Sequence, residues 1–114
     1  MIMPKQPKVM VIIGSDSDFP VIERSLGLFA EFNIEYSVNV CSAHRTPEKA
    51  AELAKNAEKE GVDVIIAAAG KAAHLPGVLA AYTVLPVIGI PIKSSTMDGL
   101  DSLLSIVQMP TGVP

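Results

Sequence analysis

Apolar and polar positions along the chain alternate between strand-like and helix-like patterns. Residues 8–13 (KVMVII) form a short, mostly aliphatic run that ends before a glycine, as a buried strand does. The next segment places Ile22, Leu26 and Phe29 at helical spacing, which predicts a helix with one apolar stripe. Pro20 suits the first turn of that helix. The chain therefore begins with a strand followed by a helix.

A second strand and helix follow. Residues 34–40 alternate strictly, with every second side chain apolar, which predicts a half-solvated strand at a sheet edge. Thr46 is a suitable N-cap and Pro47 a suitable first residue for the next helix. That helix is predicted to run to about Glu60 and to end at Gly61.

The second half of the chain repeats the pattern. Residues 62–69 predict a central strand, residues 77–83 a short helix that is apolar on all sides, and residues 86–92 a fourth strand. A last helix closes before Met109 and Pro110. Its apolar positions at helical spacing are Leu100, Leu103, Leu104 and Val107.

Four strand–helix alternations specify a three-layer αβα sandwich around a parallel sheet. An edge position for the second strand favours the order 2-1-3-4 of flavodoxin-like sheets. We expect residues 1–114 to form a single α/β domain. The pattern calls for a further strand and helix beyond the final TGVP, so we expect a truncated chain or a fold completed by a neighbouring subunit.

Composition indicates an oligomer. Apolar residues make up 49% of the 114 positions and charged residues 18%. The mean hydropathy of +0.40 is high for a free monomer of this size, which buries only about two-thirds of its unfolded surface. We therefore expect the excess aliphatic surface to lie in a subunit interface.

Charge and sequence patterns exclude several other partners. A net charge of −3 without a basic run argues against nucleic acid or an anionic membrane. Residues 75–92 carry no charge, but three prolines interrupt them, so a helix, turn and strand are expected there instead of a membrane span. The N-terminal apolar run is too short for a signal peptide, and the single cysteine suits a reducing cytoplasm.

Polar chemistry is concentrated in three loops that each follow a predicted strand: residues 14–18 (GSDSD), 41–45 (CSAHR) and 69–77 (AGKAAHLPG). In parallel sheets of this kind ligands bind outside the carboxyl ends of the strands. Each loop also leads into a helix N-terminus, which favours anions. The three loops together predict a site for a small phosphorylated ligand.

In the first loop, Ser15 and Ser17 can donate hydrogen bonds to phosphate, and Asp18 can accept them from a ribose diol. The alternative is that Ser15 and the acidic residues merely cap the following helix. This loop matches neither a Walker loop nor the dinucleotide fingerprint.

In the second loop, Arg45 offers a planar fork for phosphate and Ser42 can support it. His44 can give and take a proton near neutral pH. The alternative is an ordinary surface loop with a solvated arginine and an uninvolved histidine.

In the third loop, Gly70 and Gly77 would let a ligand approach the backbone closely. His74 is assigned a structural role, with a second polar site as the alternative. Two histidines without clustered cysteines or carboxylates make a poor metal site.

Four long motifs in series closely resemble the PurE family. They are GSDSD, SAHRTP, AAHLPGVLAAYTVLPVIGIPI and GLDSLLSIVQMP, and the likeness extends from about residue 8 over nearly the whole chain. Within that family the chain resembles the 5-(carboxyamino)imidazole ribonucleotide mutases of purine synthesis, rather than the enzymes that use free carbon dioxide. The resemblance implies a cytoplasmic homo-octamer with active sites near subunit boundaries and no metal, nucleotide cofactor or ATP.

The resemblance also implies the reaction and the roles of the site residues. A carboxylate moves from the exocyclic nitrogen of the aminoimidazole to ring carbon 4, by release and recapture of carbon dioxide. His44 matches the general acid/base of the family. Ser15, Asp18 and Arg45 match the substrate-binding positions of the family, and Ser42 joins them around the phosphate. Gly70 and Lys71 are further candidates for substrate binding, and Lys71 either reaches the substrate carboxylate or points to solvent.

The chain departs from the family in the third loop. The family usually has a Gly-Ala-Gly-Gly tract where this chain has Ala68, Ala69, Gly70 and Lys71. Three other functions stay open: carboxylation of aminoimidazole ribonucleotide with free carbon dioxide, a non-catalytic module that binds nucleotide or phosphate, and a flavin carrier. The few aromatic side chains and the acidic first loop argue against the flavin carrier.

Overall fold

The computed structural model describes residues 5–113, in which strands and helices alternate as the sequence predicts. A single 3-10 turn, Asp16–Asp18, precedes the first helix. The elements are β1 (Lys8–Ile13), α1 (Phe19–Glu31), β2 (Glu35–Val40), α2 (Pro47–Ala57), β3 (Val64–Gly70), α3 (Leu75–Ala80), β4 (Val87–Ile92) and α4 (Leu100–Val107).

The four strands form one parallel sheet in the order β2-β1-β3-β4. This arrangement confirms the predicted fold class and strand order. The register is the feature that matters for function. Ile13 at the end of β1 lies opposite Val40 on β2 and opposite Ala68 on β3, so three strands reach the same edge of the sheet together.

Side chains alternate between two apolar layers, one on each face of the sheet. Met10 and Ile12 of β1 belong to a cluster with residues of α2 and α3. Val9, Val11 and Ile13 belong to a second cluster with residues of α1. Because β1 is buried on both faces, it reads as a continuous aliphatic run, whereas β2 at the edge stays half-exposed.

Two helix boundaries differ from the prediction. α3 begins at Leu75 instead of residue 77, because Pro76 fits the first turn of a helix, and it ends at Ala80. α2 ends at Ala57 instead of Glu60, and the chain continues through turns to Gly61, whose φ of 85° favours glycine.

Thr46 occupies the predicted N-cap position of α2 without capping it. Its side chain makes no hydrogen bond to an amide of the helix. The hydroxyl donates instead to the carbonyl of Ser42 at 2.9 Å. The predicted cap is therefore wrong in its chemistry, because Thr46 stabilises the loop before the helix.

No helix within residues 5–113 is long and apolar enough to cross a membrane. The uncharged stretch that approaches membrane-spanning length forms α3, a turn and β4, as predicted.

Gly89 in β4 lies where two helices come closest to the sheet. A β-carbon built on Gly89 would lie 2.8 Å from Cγ2 of Ile106 and 3.3 Å from the ring of Pro76. Both neighbours are stiff, since isoleucine is branched at Cβ and the proline ring is closed. Close packing of α3 and α4 on β4 therefore depends on the absence of a side chain at Gly89.

We predict that Gly89→Ala lowers the free energy of unfolding by about 1 to 3 kcal/mol, through overpacking. The matched control is Gly27→Ala in the exposed middle of α1, where an added β-carbon meets nothing within 4 Å. The control should raise the free energy of unfolding by about 0.5 to 1 kcal/mol, because alanine favours the helix. Urea unfolding of both variants measures the difference; equal stabilities would refute the packing assignment.

Candidate functional site

Two backbone hydrogen bonds join the starts of the loops at the carboxyl edge of the sheet. The amide of Gly14, just after β1, donates to the carbonyl of Ala68 on β3 at 3.0 Å. The amide of Cys41, just after β2, donates to the carbonyl of Ile13 at 2.9 Å. The three loops thus leave the sheet from adjacent, fixed points.

These loops enclose a cavity of about 380 Å³. The seven residues that the sequence analysis names as catalytic or substrate-binding lie in its wall. They are Ser15, Asp18, Ser42, His44, Arg45, Gly70 and Lys71. The cavity is within the size range of small-molecule sites. Ser17, which the sequence analysis considers as a phosphate donor, is outside this wall, and Gly77 lies in α3 against the side chain of Met109.

Ser15 has a structural role in the first loop as well as a place in the cavity wall. Its hydroxyl oxygen accepts a hydrogen bond from the amide of Ser17 at 3.3 Å and lies 2.9 Å from the Ser17 hydroxyl. Ser15 therefore caps the 3-10 turn that precedes α1, whereas the alternative interpretation of this loop had it cap the helix itself.

Asp18 is the N-cap residue of α1, but its side chain makes no capping hydrogen bond. It faces the cavity, where partial burial raises the pKa of its carboxyl above the ordinary 3.8. The backbone hydrogen bond to Ser15 opposes this rise, and the charge of Asp16 adds to it. Capping does not explain Asp18, because the fold loses solvation of this carboxylate without gaining a cap.

The second loop is a tight turn held by its own side chains. The amide of Arg45 donates to the Ser42 hydroxyl at 3.1 Å, and the amide of Thr46 donates to the Ser42 carbonyl at 2.8 Å. This turn holds the backbone of the loop while the side chains of His44 and Arg45 stay exposed to the cavity.

His44 forms a hydrogen bond with His74, a residue that the sequence analysis assigned to structure. Nε2 of His44 lies 2.9 Å from Nδ1 of His74, and the two rings meet edge to face with centroids 5.0 Å apart. One ring nitrogen must donate and the other accept, so the contact links the tautomers of both rings. The pair gives the cavity a proton donor and acceptor of fixed orientation.

A signal for His74 exists in the sequence. The two histidines are 30 positions apart, but each lies in a loop that follows a strand of the same parallel sheet. Parallel strands bring such loops to one edge, and these are the only histidines in the chain. No group of three metal-ligating side chains occurs among the described residues.

The cavity has two chemically different ends. A second recess, of about 420 Å³, shares Gly14, Ser15, Ser42 and Arg45 with the main cavity. The residues around this recess do not include the two histidines or Lys71. Hydroxyls and a guanidinium therefore mark one end of the site, and imidazoles mark the other.

We predict that Asp18→Asn raises the melting temperature near pH 7. A folded-state pKa above the unfolded value means that the ionised carboxyl opposes folding, and this penalty grows as pH rises through the folded pKa. The gain should vanish at about pH 3, where the carboxyl is protonated in both states.

Thermal unfolding across that pH range measures the effect. The control is Glu23→Gln, the same carboxyl-to-amide change at an exposed position of α1. A destabilised Asp18→Asn variant at pH 7 would show that the carboxylate supports the fold.

Comparisons with known proteins identify the family of the chain. The family model described as AIR carboxylase matches residues 8–114. The chain is 59% identical over 110 residues to the N5-carboxyaminoimidazole ribonucleotide mutase of Pyrococcus horikoshii, covering 96% of this chain and 62% of that protein. It is 56% identical over 109 residues to the phosphoribosylaminoimidazole carboxylase of Ogataea methanolica, covering 96% of this chain and 20% of the yeast protein.

The fold is also found among solved structures. The crystal structure of Treponema denticola PurE superimposes with a TM-score of 0.82 at 29% sequence identity, over 96% of this chain and 69% of that one. The chain spans less than two thirds of the Pyrococcus relative. Because the family model matches almost the whole length of the chain, the chain belongs to the AIR carboxylase family.

Proposed function

We propose that this chain is the catalytic part of a carboxyaminoimidazole ribonucleotide mutase of purine biosynthesis. The reaction moves a carboxylate from the exocyclic nitrogen to ring carbon 4 of the aminoimidazole. The observation that carries the proposal is the hydrogen-bonded pair of His44 and His74 in a cavity whose other end holds Arg45 and two serines. The Pyrococcus horikoshii relative, an N5-carboxyaminoimidazole ribonucleotide mutase, supports it.

The phosphate of the nucleotide is proposed to bind at the arginine end. Arg45 can donate two parallel hydrogen bonds to phosphate oxygens, and the hydroxyls of Ser15 and Ser42 lie in the same wall. Asp18, which does not cap α1, is left to accept hydrogen bonds from the ribose hydroxyls. This orientation directs the aminoimidazole ring toward the histidines.

His44 is proposed to carry one proton through both halves of the reaction. It first protonates the exocyclic nitrogen as the nitrogen–carboxyl bond breaks and carbon dioxide leaves. Ring carbon 4 then attacks the retained carbon dioxide, and the new carbon–carbon bond forms. His44 finally removes the proton from carbon 4, which restores the aromatic ring. The same imidazole therefore gives one proton and recovers one proton, so it is unchanged at the end of the reaction. The hydrogen bond to His74 fixes the orientation of this imidazole.

The protein is proposed to work as a cytoplasmic homo-oligomer, an octamer as in its family. Apolar side chains on the outer surface of α4 support this, because they need a cover. Leu100 is 50% exposed, Leu103 43% and Val107 60%. We also propose that residues 1–114 belong to a single α/β domain.

Two other candidate functions must be distinguished from the mutase. The yeast relative is called a phosphoribosylaminoimidazole carboxylase, which favours the use of free carbon dioxide as the second candidate. A module that binds the nucleotide without catalysis is the third, because fold alone does not fix function.

One pair of assays separates these candidates. Incubation with the carboxyamino ribonucleotide, without ATP or bicarbonate, should yield the carbon-carboxylated isomer if the chain is a mutase. Product from aminoimidazole ribonucleotide and bicarbonate, with none from the carboxyamino compound, would instead establish the carboxylase. Tight binding without any product would establish the non-catalytic module. Adding a trap for free carbon dioxide to the first assay should not lower the yield of product, because the released carbon dioxide is held in the cavity.

We predict that His44→Asn lowers kcat by roughly 100- to 10,000-fold, as removal of a general acid/base does. Binding of the carbon-carboxylated product, measured by calorimetry, should change by less than about threefold. The asparagine side chain can still hydrogen bond to His74 but cannot carry a proton. A variant that retains a tenth or more of wild-type kcat would overturn the role of His44.

A further inference from the structure

Lys71 is the second cation in the wall of the main cavity, and it lies at the histidine end. It precedes His74 by three positions in the loop between β3 and α3. Arg45 also borders the adjoining recess, whereas Lys71 borders only the main cavity. The two cations in the wall of the main cavity therefore belong to different ends of it, and Lys49 lies with Arg45 around the recess.

The backbone of Lys71 adopts a conformation that side chains disfavour. Its φ is 52°, in the left-handed region where glycine is at no disadvantage. The conformation is held by hydrogen bonds to the Lys71 carbonyl, which accepts from the amide of Ala73 at 2.8 Å and from the Ser105 hydroxyl at 3.5 Å. Glycine would satisfy this loop equally well, so its geometry gives no reason for a lysine.

Pairing within the protein does not account for the lysine either. In the part of the chain that the structure describes, the lysines in ion pairs are Lys5 with Asp63 and Lys93 with Asp98. Lys71 is exposed to the cavity and joins neither pair. Its ammonium is available to an anionic group of a ligand.

The proposed substrate carries two anionic groups at opposite ends. With the phosphate on Arg45, the migrating carboxylate must lie near the ring atoms that exchange a proton with His44. That position is the histidine end, where Lys71 supplies the positive charge. We propose that Lys71 binds the carboxylate of the substrate and product and thereby sets the preference for carboxylated ligands. This inference rests on the proposed function.

The test compares two ligands that share the phosphate and differ in the carboxylate: the carbon-carboxylated aminoimidazole ribonucleotide and the aminoimidazole ribonucleotide. We expect Lys71→Met to weaken binding of the first by roughly 10- to 100-fold, as loss of a charge-assisted hydrogen bond does. Binding of the second should change by less than about threefold. Lys71→Arg keeps the charge and should retain most of the discrimination.

Two controls separate charge from folding. Lys59→Met makes the same change at an exposed position after α2, outside the cavity, and should leave both affinities unaltered. Lys71→Gly relieves the positive φ, so it should melt at the wild-type temperature or above it while losing the discrimination. Loss of discrimination with an intact fold is a result that a purely structural lysine would not produce.

The outcomes distinguish this inference from the proposed function. Equal weakening of both ligands, or none of either, in Lys71→Met would overturn the inference while mutase activity of the wild type stands. Discrimination that depends on Lys71 in a wild type without mutase activity would support the inference and refute catalysis. A wild type that binds neither ligand would overturn both.

Discussion

Parallel pairing of β1 with both β2 and β3 is the constraint on which the site depends. In register, β1 and β2 end side by side at Ile13 and Val40, with Ala68 opposite Ile13 and β3 ending two residues later at Gly70. The hydrogen bonds of the Gly14 and Cys41 amides extend that pairing by one residue into the loops. The loops that form the cavity wall therefore start from fixed positions at one edge of the sheet. A slip in strand register would separate these loops.

The site holds features that oppose folding or do nothing for it. The carboxyl of Asp18 is partly buried and makes no capping hydrogen bond, and the backbone of Lys71 is in the left-handed region, which disfavours a side chain. Such costs cluster where binding or catalysis requires them. Outside the site, the described non-glycine residues with a left-handed backbone are Asn33 and Asp98, and asparagine and aspartate tolerate that conformation better than lysine does. Among the described residues, no buried side-chain polar atom lacks a hydrogen-bond partner.

Periodicity along the chain predicts the elements, the strand order and the three loops of the site, because a parallel sheet with short connections leaves few alternatives. The residues that are able to bind an anion or to transfer a proton are then found by their position in these loops. The hydrogen bond between His44 and His74 was not predicted, because a bond between two loops depends on where the rings point and not only on which loops meet. The start of α3 and the bonding of Thr46 were missed because each depends on local contacts that the pattern does not encode.

The central claim is that three loops, distant in sequence, form one binding site. Amide NMR during titration with the carbon-carboxylated aminoimidazole ribonucleotide tests it directly. The account predicts that the amides of Ser15, Arg45 and His74 shift together and fit one dissociation constant. Shifts confined to a single loop, or separate constants for the three residues, would contradict it.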